Sequence, residues 1–498
     1  MNVNPITRLD YPDPDVIRVE DTYYMVSTTM HFMPGCEILQ SFDLVHWEHV
    51  TYVYETLDHT DAQQLKSGQN IYGQGMWAAS LRYHEGRFYI CFVANDTRKT
   101  YLYTSEKIDG PWKKQLIEGF YHDGSLLFDE DGRNYIVYGN DEIWITELNE
   151  DLTAPKKDGL HRLLVSDHKN PELGYEGSHI QKINGYYYIF LVHSLRDRWM
   201  RTEACFYSDS LEGEFTGGDV LCDDRGYCGQ GVAQGGIVDT PDGKWYAMLF
   251  QDSGAVGRIP ILLPVTWKDH FPFFGQNGHV PEEIEVHSTR PGYIYQPLVG
   301  SDDFCNGLLP RWQFNHDPDP RYYHLDALQG TYTITTREVC TELTQAVNTL
   351  TQRMSYPSCA AEVTVDASAL KEGDVAGLCA LQGCYAAVGI TKHHGKYEVL
   401  MLDKKEDGIL DMTEGTVVES HQMDFRLEAD FYNMKDEARC YYRVNKGDWL
   451  PIGTVHKLYF KLDHFTGCRF GLFCYAAEET GGSACFRDFK YYDVDEIS

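Results

Sequence analysis

The sequence of 498 residues has no hydrophobic run long enough to span a membrane, and it has little positive charge. Its longest apolar run, Tyr186 to Val192, falls far short of the roughly 18 residues that a transmembrane helix needs. Lys and Arg total 43 against 75 Asp and Glu, which gives a formal net charge of −32. Because nucleic acids and anionic lipids bind basic surfaces, neither nucleic acid nor a membrane is expected as a partner.

Paired cysteine motifs are also absent. The 14 cysteines are scattered singly, and spacings such as Cys222/Cys228 and Cys379/Cys384 match no zinc module. This pattern predicts free, mostly buried thiols in a reducing compartment. The first residues, MNVNPITRLDYPDPDV, have neither the basic nor the apolar region of a secretory signal. We therefore expect a cytoplasmic protein.

Several catalytic signatures are missing as well. No G-x-S-x-G elbow, phosphate-binding loop, H-E-x-x-H or dinucleotide fingerprint occurs. The glycines at 229–237 have no helix after them, and the 20 histidines form no cluster with ligand spacing. With these signatures absent, the sequence indicates acid–base catalysis by carboxyl groups. We expect no cofactor and no catalytic metal.

What the sequence does contain is a repeated aromatic strand. A turn followed by alternating aromatic and β-branched residues, which is a strand signature, recurs five times. The tyrosines taken as equivalent are Tyr24, Tyr89, Tyr135, Tyr188 and Tyr246, at intervals of 65, 46, 53 and 58 residues. Since a small sheet needs neighbours to bury its faces, this repeat predicts a five-bladed β-propeller over residues 1–295. The alternative is a sandwich of unrelated hairpins.

The repeat ends near Tyr295, and longer alternating strands follow. Examples are GTYTITT at 330–336, AAEVTVDAS at 360–368 and CRFGLFCYA at 468–476. Turns at short intervals and scarce helical periodicity predict a second all-β domain, a two-sheet β-sandwich, over residues 296–498.

Three carboxylates precede the first strand of separate blades. They are Asp13 in YPDPDV, Asp123 in HDGSLLF and Glu176 in YEGSHI. In a propeller the innermost strands converge on the axis, where charged groups are costly unless they are used or paired. Each residue alone is also explained by a turn, but three equivalent positions indicate a shared function.

Such a set suits glycoside hydrolysis. One carboxyl group must be protonated to donate to the leaving oxygen, and another must be ionised to take a proton from water. A third can hold the acid in place and raise its pKa through like-charge repulsion.

These segments resemble glycoside hydrolase family 43, and more closely its two-domain β-xylosidase/α-L-arabinofuranosidase members. The resemblance covers nearly the whole chain and is carried by the motifs at 11–35, 75–90, 122–132, 175–190 and 234–267. It implies an all-β protein in which a five-bladed propeller is followed by a concanavalin-like β-sandwich.

The resemblance also implies roles for the carboxylates. Asp13 is then the general base, Glu176 the general acid and Asp123 the group that tunes the acid. Asp15 is the rival base, but the base of the family directly precedes the proline, which selects Asp13.

Five further residues are implied in substrate binding. Trp77 is expected as a hydrophobic wall against the sugar, with a structural Trp at a blade edge as the alternative. Phe32 is expected to line the pocket, and Arg258 to bind hydroxyl groups beside a catalytic carboxylate. Gln234 stands where many members have a histidine near the axis, which weakens the case for a metal there. Phe465, in DHFTGCRFG of the second domain, is expected to close the pocket, with the sandwich core as the alternative.

A structural Ca²⁺ is the one ion that the resemblance raises. Asp302 and Asp303 are its candidate ligands, although two acids in a linker are more often simply solvated.

The sequence therefore predicts an inverting, exo-acting glycosidase that releases terminal β-D-xylose, and also α-L-arabinofuranose, from small xylo-oligosaccharides. A predominantly arabinofuranosidase activity and a non-catalytic carbohydrate-binding protein are the alternatives. The oligomeric state, including a homo-oligomer, stays open.

Overall fold

The computed structural model describes residues 3–413 and 415–493. In this part of the chain it contains 36 β-strands and three single-turn 3₁₀ helices, at Lys66–Gly68, Leu343–Gln345 and Tyr432–Met434. The all-β prediction is confirmed.

The first half is a ring of five antiparallel four-stranded sheets, each built from consecutive strands. The first blade contains β1 (Asp15–Val19) and β2 (Thr22–Ser27), then, after the short strand β3 (Phe32–Met33) that leaves the blade, β4 (Gly35–Ser41) and β5 (Glu48–Tyr54). The second blade contains β6 (Met76–His84), β7 (Arg87–Ala94), β8 (Lys99–Ser105) and β9 (Lys113–Ile117). The third contains β10 (Ser125–Phe128), β11 (Asn134–Asn140), β12 (Glu142–Leu148) and β13 (His161–Ser166). The fourth contains β14 (Glu176–Ile183), β15 (Tyr186–Ser194), β16 (Arg201–Ser208) and β17 (Thr216–Leu221). The fifth contains β18 (Val232–Asp239), β19 (Trp245–Asp252), β20 (Arg258–Lys268) and β21 (Phe271–Phe274).

The predicted repeat corresponds to these blades. The five tyrosines used to count it each lie on the second strand of a blade: Tyr24, Tyr89, Tyr135, Tyr188 and Tyr246. The second strand is paired on both sides, so its aromatic side chains pack between neighbouring blades. The five-bladed propeller is confirmed, and the alternative of unrelated hairpins is not.

The second half is a sandwich of two antiparallel sheets. Its strands are β22 (Gln313–Asn315), β23 (Tyr323–Asp326), β24 (Thr331–Thr335), β25 (Leu350–Arg353), β26 (Ser358–Asp366), β27 (Val375–Leu381), β28 (Tyr385–His393), β29 (Lys396–Lys404), β30 (Leu410–Met412), β31 (Thr416–Val418), β32 (Gln422–Asp430), β33 (Glu437–Arg443), β34 (Leu450–Lys457), β35 (Arg469–Tyr475) and β36 (Ser483–Asp493). One sheet runs β3-β22-β25-β35-β27-β28-β29-β30, with β31 also paired to β29, and the other runs β23-β24-β36-β26-β32-β33-β34. A continuous core that includes Leu378, Val388 and Phe425 fills the space between the sheets.

The two halves share a sheet. The loop between β2 and β4 of the first blade supplies β3, in which Phe32 and Met33 pair with Asn315 and Phe314 of β22. A buried ion pair joins Glu37 of the propeller to Arg353 of the sandwich at 2.8 Å. The predicted boundary at 295/296 lies between β21 and β22, but the sandwich is bonded directly to the propeller.

All 14 cysteines are free thiols, and, as predicted, most of them are buried; Cys222, Cys228 and Cys305 are exposed. Among the described residues, no helix has the length and hydrophobicity to cross a bilayer.

Candidate active site

The three predicted carboxylates all lie where a first strand of a blade begins. Asp13 is two residues before β1, Asp123 is two residues before β10, and Glu176 is the first residue of β14. Asp13 and Asp123 have left-handed backbone angles, with φ of 53° and 46°, a conformation that aspartate tolerates better than most residues. These turns place polar side chains at the end of the propeller axis.

Asp13 is buried, and both oxygens of its carboxylate have bonding partners. Its Oδ2 accepts a hydrogen bond from the Thr28 hydroxyl at 2.6 Å. Its Oδ1 pairs with Nη1 of Arg258 at 3.0 Å. Arg258 is the first residue of β20 and is itself buried. The ion pair gives the Arg258 guanidinium a fixed position beside the predicted base.

Asp123 lies deeper than Glu176. Its Oδ2 accepts the backbone N–H of Gly177 at 3.1 Å, which ties Asp123 to the residue directly after Glu176. Burial raises the pKa of Asp123 to about 6; His122 opposes the increase, and the charges of Glu176 and Asp13 add to it.

Glu176 faces a cavity. Its Oε2 accepts a hydrogen bond from Nδ2 of Asn140 at 2.8 Å and lies 3.3 Å from Nε2 of His122. The Glu176 side chain is 17% exposed, against 6% for Asp123. Of these two carboxyl groups, Glu176 is the one that a substrate in the cavity can reach.

His122 bridges the two acids. Its Nε2 is 3.6 Å from Oδ2 of Asp123 as well as 3.3 Å from Oε2 of Glu176. Burial alone would lower the pKa of His122, but the two carboxylates raise it to about 9. At neutral pH His122 is therefore a cation between two acids.

The cavity has a volume of about 590 Å³ and is formed by both domains. Its lining residues are Trp77, His122, Asn140, Glu172, Leu173, Glu176, Trp199, Arg201, Gln230, Asp252, Gly254, Met434, Phe460, Lys461, Leu462 and Phe465. This volume is within the range of about 300–1,000 Å³ that encloses small organic ligands.

Phe465 reaches this cavity from the sandwich. Its ring centre is 4.3 Å from the Arg258 guanidinium and 5.8 Å from the ring centre of Trp77. Trp77, on β6, is also 5.8 Å from the His122 ring. Phe465 and Trp77 therefore form aromatic walls next to the carboxylates, and Phe465 does not lie in the sandwich core.

Asp10 fixes the loop that carries Phe465. Its Oδ2 accepts the backbone N–H of Gly467 at 2.8 Å, and its Oδ1 accepts the backbone N–H of Arg258 at 2.7 Å. A side chain at Gly467 would collide with Val256, because a Cβ there would lie 2.1 Å from the Val256 carbonyl oxygen. The close approach of the two domains at this point requires glycine.

Two predicted binding residues occupy different surroundings. Phe32 is fully buried on β3, its ring is covered by the Arg469 guanidinium at 3.4 Å, and it is not among the residues that line the cavity. Gln234 is also buried, and a Cβ on Gly177 would lie 2.7 Å from its Cγ. Gln234 therefore packs beneath the Asp123–Gly177 contact.

The rival base Asp15 is held inside the propeller. It is fully buried, with Oδ2 bonded to Nη1 of Arg82 at 2.8 Å and to the backbone N–H of Leu81 at 2.7 Å. Its Oδ1 lies 3.1 Å from Nδ1 of His179. Asp15 thus joins blades one, two and four, which is a structural role.

The candidate Ca²⁺ ligands have protein partners instead. Asp302 accepts the indole N–H of Trp312 at 2.9 Å on one oxygen and the backbone N–H of Phe304 at 2.7 Å on the other. Asp303 accepts the backbone N–H of Cys305 at 2.9 Å. These contacts occupy both oxygens of Asp302 and one oxygen of Asp303.

Within the described ranges, the group that could hold a metal ion is His122, Asp123 and Glu176, whose ligand atoms lie within 4.8 Å of one another. A metal there would bind the neutral imidazole of His122 and would have to displace the proton that Asp123 and Glu176 favour on this ring. The ion pairs explain the closeness of these groups, and no step of the chemistry below depends on a metal.

Sequence reasoning missed several residues of this site: Thr28, His122, Asn140, Trp199 and Arg201. His122 directly precedes Asp123, so its position was the available signal. The other four lie in turns or at strand ends without a repeated pattern, and only the folded structure brings Thr28 to Asp13 and the other three to the cavity.

Two family models match successive parts of this chain. The family model described as Glycosyl hydrolases family 43 matches residues 3–272. The model described as Beta xylosidase C-terminal Concanavalin A-like domain matches residues 301–492.

Individual relatives extend over both domains. A β-xylosidase of Formosa agariphila is 27% identical over 99% of this chain and 89% of the relative. A putative β-xylosidase of Xylanibacter ruminicola is 29% identical over 76% of this chain and 71% of the relative. A solved structure described as bifunctional GH43-CE, from Bacteroides eggerthii, matches 100% of this chain at 42% identity with a TM-score of 0.93. This chain spans 64% of the length of that protein.

Proposed function

The chain belongs to glycosyl hydrolase family 43 and is a glycoside hydrolase of the β-xylosidase/arabinosidase type, and we propose that it is an inverting, exo-acting enzyme. It would release terminal β-D-xylose, and also α-L-arabinofuranose, from xylo-oligosaccharides. The observation that carries this proposal is that Glu176 lines a cavity bordered by Phe465, while Asp123 is bonded to the backbone behind Glu176 and Asp13 is paired with Arg258.

Glu176 is proposed as the general acid. It lines the cavity, whereas Asp123 is buried behind it. Proton transfer requires the acid to come within hydrogen-bond reach of the leaving oxygen. Asn140 and His122 hold Oε2 of Glu176, which leaves Oε1 to meet that oxygen.

Asp13 is proposed as the general base. Thr28 and Arg258 orient its carboxylate, and an ionised Asp13 can accept a proton from a water that attacks the anomeric carbon. An inverting enzyme needs room for this water, for which the base and acid carboxyls are typically about 6.5–9.5 Å apart. The released sugar then has the opposite anomeric configuration.

Asp123 is proposed to position and tune the acid. Its contact with the Gly177 N–H fixes the backbone next to Glu176. A carboxyl group in this position is the kind of neighbour that tunes an acid through like-charge repulsion.

The exo mode rests on Phe465. A propeller site open on one side admits the middle of a chain, but Phe465 of the sandwich packs against Trp77 and Arg258 next to the carboxylates. A chain end can enter such a pocket, and a continuous polysaccharide cannot pass through it.

The test compares sugars and anomers. The purified protein is assayed with nitrophenyl β-D-xyloside, nitrophenyl α-L-arabinofuranoside and xylobiose, and the first-released sugar is followed by proton NMR. We expect turnover of xylobiose with α-xylose as the initial product. Initial β-xylose would show retention, and release of internal fragments from xylan would contradict the exo mode. Turnover restricted to the arabinofuranoside would show a predominantly arabinofuranosidase enzyme.

A further inference from the structure

Three histidines lie together at the junction of the two domains. His31 is in the propeller loop that supplies β3, His316 directly follows β22, and His464 directly precedes Phe465. The exposed fractions of the three residues are 0%, 0% and 2%. The ring centre of His31 is 4.8 Å from that of His316 and 5.0 Å from that of His464. Catalysis by the three carboxyl groups uses none of these rings, so their burial side by side needs another explanation.

Tyr72 packs against all three histidines. It lies in the loop between β5 and β6, and its ring centre is 4.8 Å from His31, 4.5 Å from His316 and 5.0 Å from His464. Its hydroxyl accepts a hydrogen bond from Nδ2 of Asn315 at 2.6 Å. Two loops of the propeller and two segments of the sandwich thus meet in one histidine cluster, made of His31, Tyr72, His316 and His464.

The cluster is suited to neutral rings. Nε2 of His316 accepts the backbone N–H of Ile71 at 3.0 Å, so this ring carries its single proton on Nδ1. A second proton on Nε2 would break that hydrogen bond. In the described part of the chain, the ring nitrogens of His31 and His464 have no hydrogen bond of normal geometry. A charged imidazole would therefore be buried without an acceptor, which is costly.

A cation lies close to the cluster. The guanidinium of Arg469, on β35, is 3.4 Å from the ring centre of Phe32, and that ring is 4.3 Å from the ring of His31. Arg469 is buried, and its Nη1 donates to Oε1 of Gln313 at 2.8 Å. Its charge opposes protonation of both His31 and His464.

The acids on the segments around the cluster are bound to other groups. Asp317 follows His316, Asp463 precedes His464, and Glu342 borders a small cavity together with His464. Their partners are His59 for Asp317, the hydroxyl of Tyr459 for Asp463, and Lys404 for Glu342. Among the described residues, no carboxylate is bonded to a ring of the cluster. Protons taken up there would therefore repel one another and Arg469.

The pKa values follow from these surroundings. Burial and the neighbouring histidines hold the pKa values of His31 and His316 well below 6.5, against a smaller opposite effect of the uncharged Asn315 amide on His31. Burial and Arg469 hold the pKa of His464 at about 3. In an open chain each histidine titrates near 6.5. The stability of the closed junction is therefore complete above pH 6.5 and is lost as the pH falls towards the folded pKa values.

We propose that the histidine cluster is an acid-sensitive latch between the domains: in mildly acidic solution it takes up protons, and the loop that carries Phe465 separates from the propeller while both domains stay folded. The three histidines belong to three different segments, so repulsion between their charges pushes those segments apart. Separation removes Phe465 from the cavity that it borders. Its effect on catalysis rests on the proposed function, whereas the separation itself does not.

Hydrogen exchange followed by mass spectrometry, at pH 7.5 and pH 5, measures this separation without a substrate. The backbone N–H groups of Gly467 and Cys468 bond to Asp10 and to the Ala255 carbonyl across the junction, both at 2.8 Å. After correction for the intrinsic exchange rate, we expect their protection to be lower at pH 5 by about 30-fold for each histidine that titrates near 6.5 in the open state. Peptides of β11 and β26 should stay protected at both pH values.

Histidine variants test the source of the effect. His464→Phe keeps an aromatic ring against Tyr72 but cannot take up a proton, and it should remove about 30-fold of the difference between the two pH values. His31→Phe makes the same change in the propeller loop, and it replaces His464→Phe if that variant is already unprotected at pH 7.5. His324→Phe is the matched control, because His324 is exposed on β23; it should leave the difference unchanged.

Three results would overturn the latch. The first is equal protection of the Gly467 and Cys468 amides at pH 7.5 and pH 5. The second is loss of protection throughout both domains at pH 5, because acid then unfolds the whole protein. The third is a His464→Phe or His31→Phe protein that is protected at pH 7.5 and keeps the full wild-type difference, because the histidines then do not cause the separation. A wild type that cleaves no xyloside or arabinofuranoside refutes the proposed function instead and leaves the exchange result standing.

Discussion

Replacement of Asp10 by asparagine tests how the sandwich is held over the active site. Asp10 accepts two buried backbone N–H groups, from Arg258 at 2.7 Å and from Gly467 at 2.8 Å. The first N–H belongs to Arg258, whose side chain pairs with Asp13. The second lies two residues after Phe465. Asn keeps a single oxygen, so its NH₂ group must face one of these N–H donors.

The expected cost follows from the lost bond. A hydrogen bond to a charged group contributes about 1.5–3 kcal/mol, and a buried N–H left without an acceptor costs about 1–3 kcal/mol. These two figures describe the same loss, so we expect Asp10→Asn to lower the free energy of unfolding by about 2 kcal/mol. Since Arg258 and Phe465 both depend on this carboxylate, kcat/KM should fall as well.

The assay is urea unfolding together with kcat/KM for xylobiose. Asp303→Asn is the matched control, because Asp303 accepts one backbone N–H in an exposed turn and does not line the cavity. It should change neither quantity appreciably. If Asp10→Asn unfolds at the wild-type urea concentration and retains full kcat/KM, Asp10 does not hold the two segments together.

Four further substitutions test the catalytic groups and their surroundings. Asp13→Ala should abolish turnover of every glycoside, whereas Glu176→Ala should slow xylobiose far more than activated aryl glycosides, which need little protonation; equal losses would contradict the assignment of the acid. The raised pKa of His122, about 9 against 6.5 unfolded, stabilises the fold fully below pH 6.5, and this stability is lost as the pH rises through 9. His122→Gln should therefore be less stable than the wild type by roughly 3 kcal/mol at most below pH 6.5, at 1.36 kcal/mol per pKa unit, and urea unfolding at pH 6 and 9.5 should show the gap narrowing. Phe465→Ala should raise KM for xylobiose while the melting temperature changes little, and an unchanged KM would remove Phe465 from the site.

The sequence was sufficient for the architecture because the fold is repetitive. Tyr24, Tyr89, Tyr135, Tyr188 and Tyr246 mark the second strand of each blade, and the pattern of a strand is local. The change of pattern after Tyr295 separated the propeller from the sandwich for the same reason.

The candidate carboxylates were also visible in the sequence. Asp13, Asp123 and Glu176 stand at equivalent positions of the repeat, and the structure places all three at the same end of the axis. The structural role of Asp15 was not visible in the local sequence, because it depends on contacts with Arg82 and His179 of other blades.

The tertiary structure alone decided the environment of those groups. Phe32 lies under Arg469 because β3 joins the sandwich sheet, and Phe465 reaches Arg258 because Asp10 binds the loop after it. Contacts of this kind join residues hundreds of positions apart, and no periodicity records them. Strand patterns come from the local alternation of side chains. The raised pKa of His122, in contrast, depends on the neighbouring carboxylates. The aromatic wall depends on contacts between segments that are distant in the sequence.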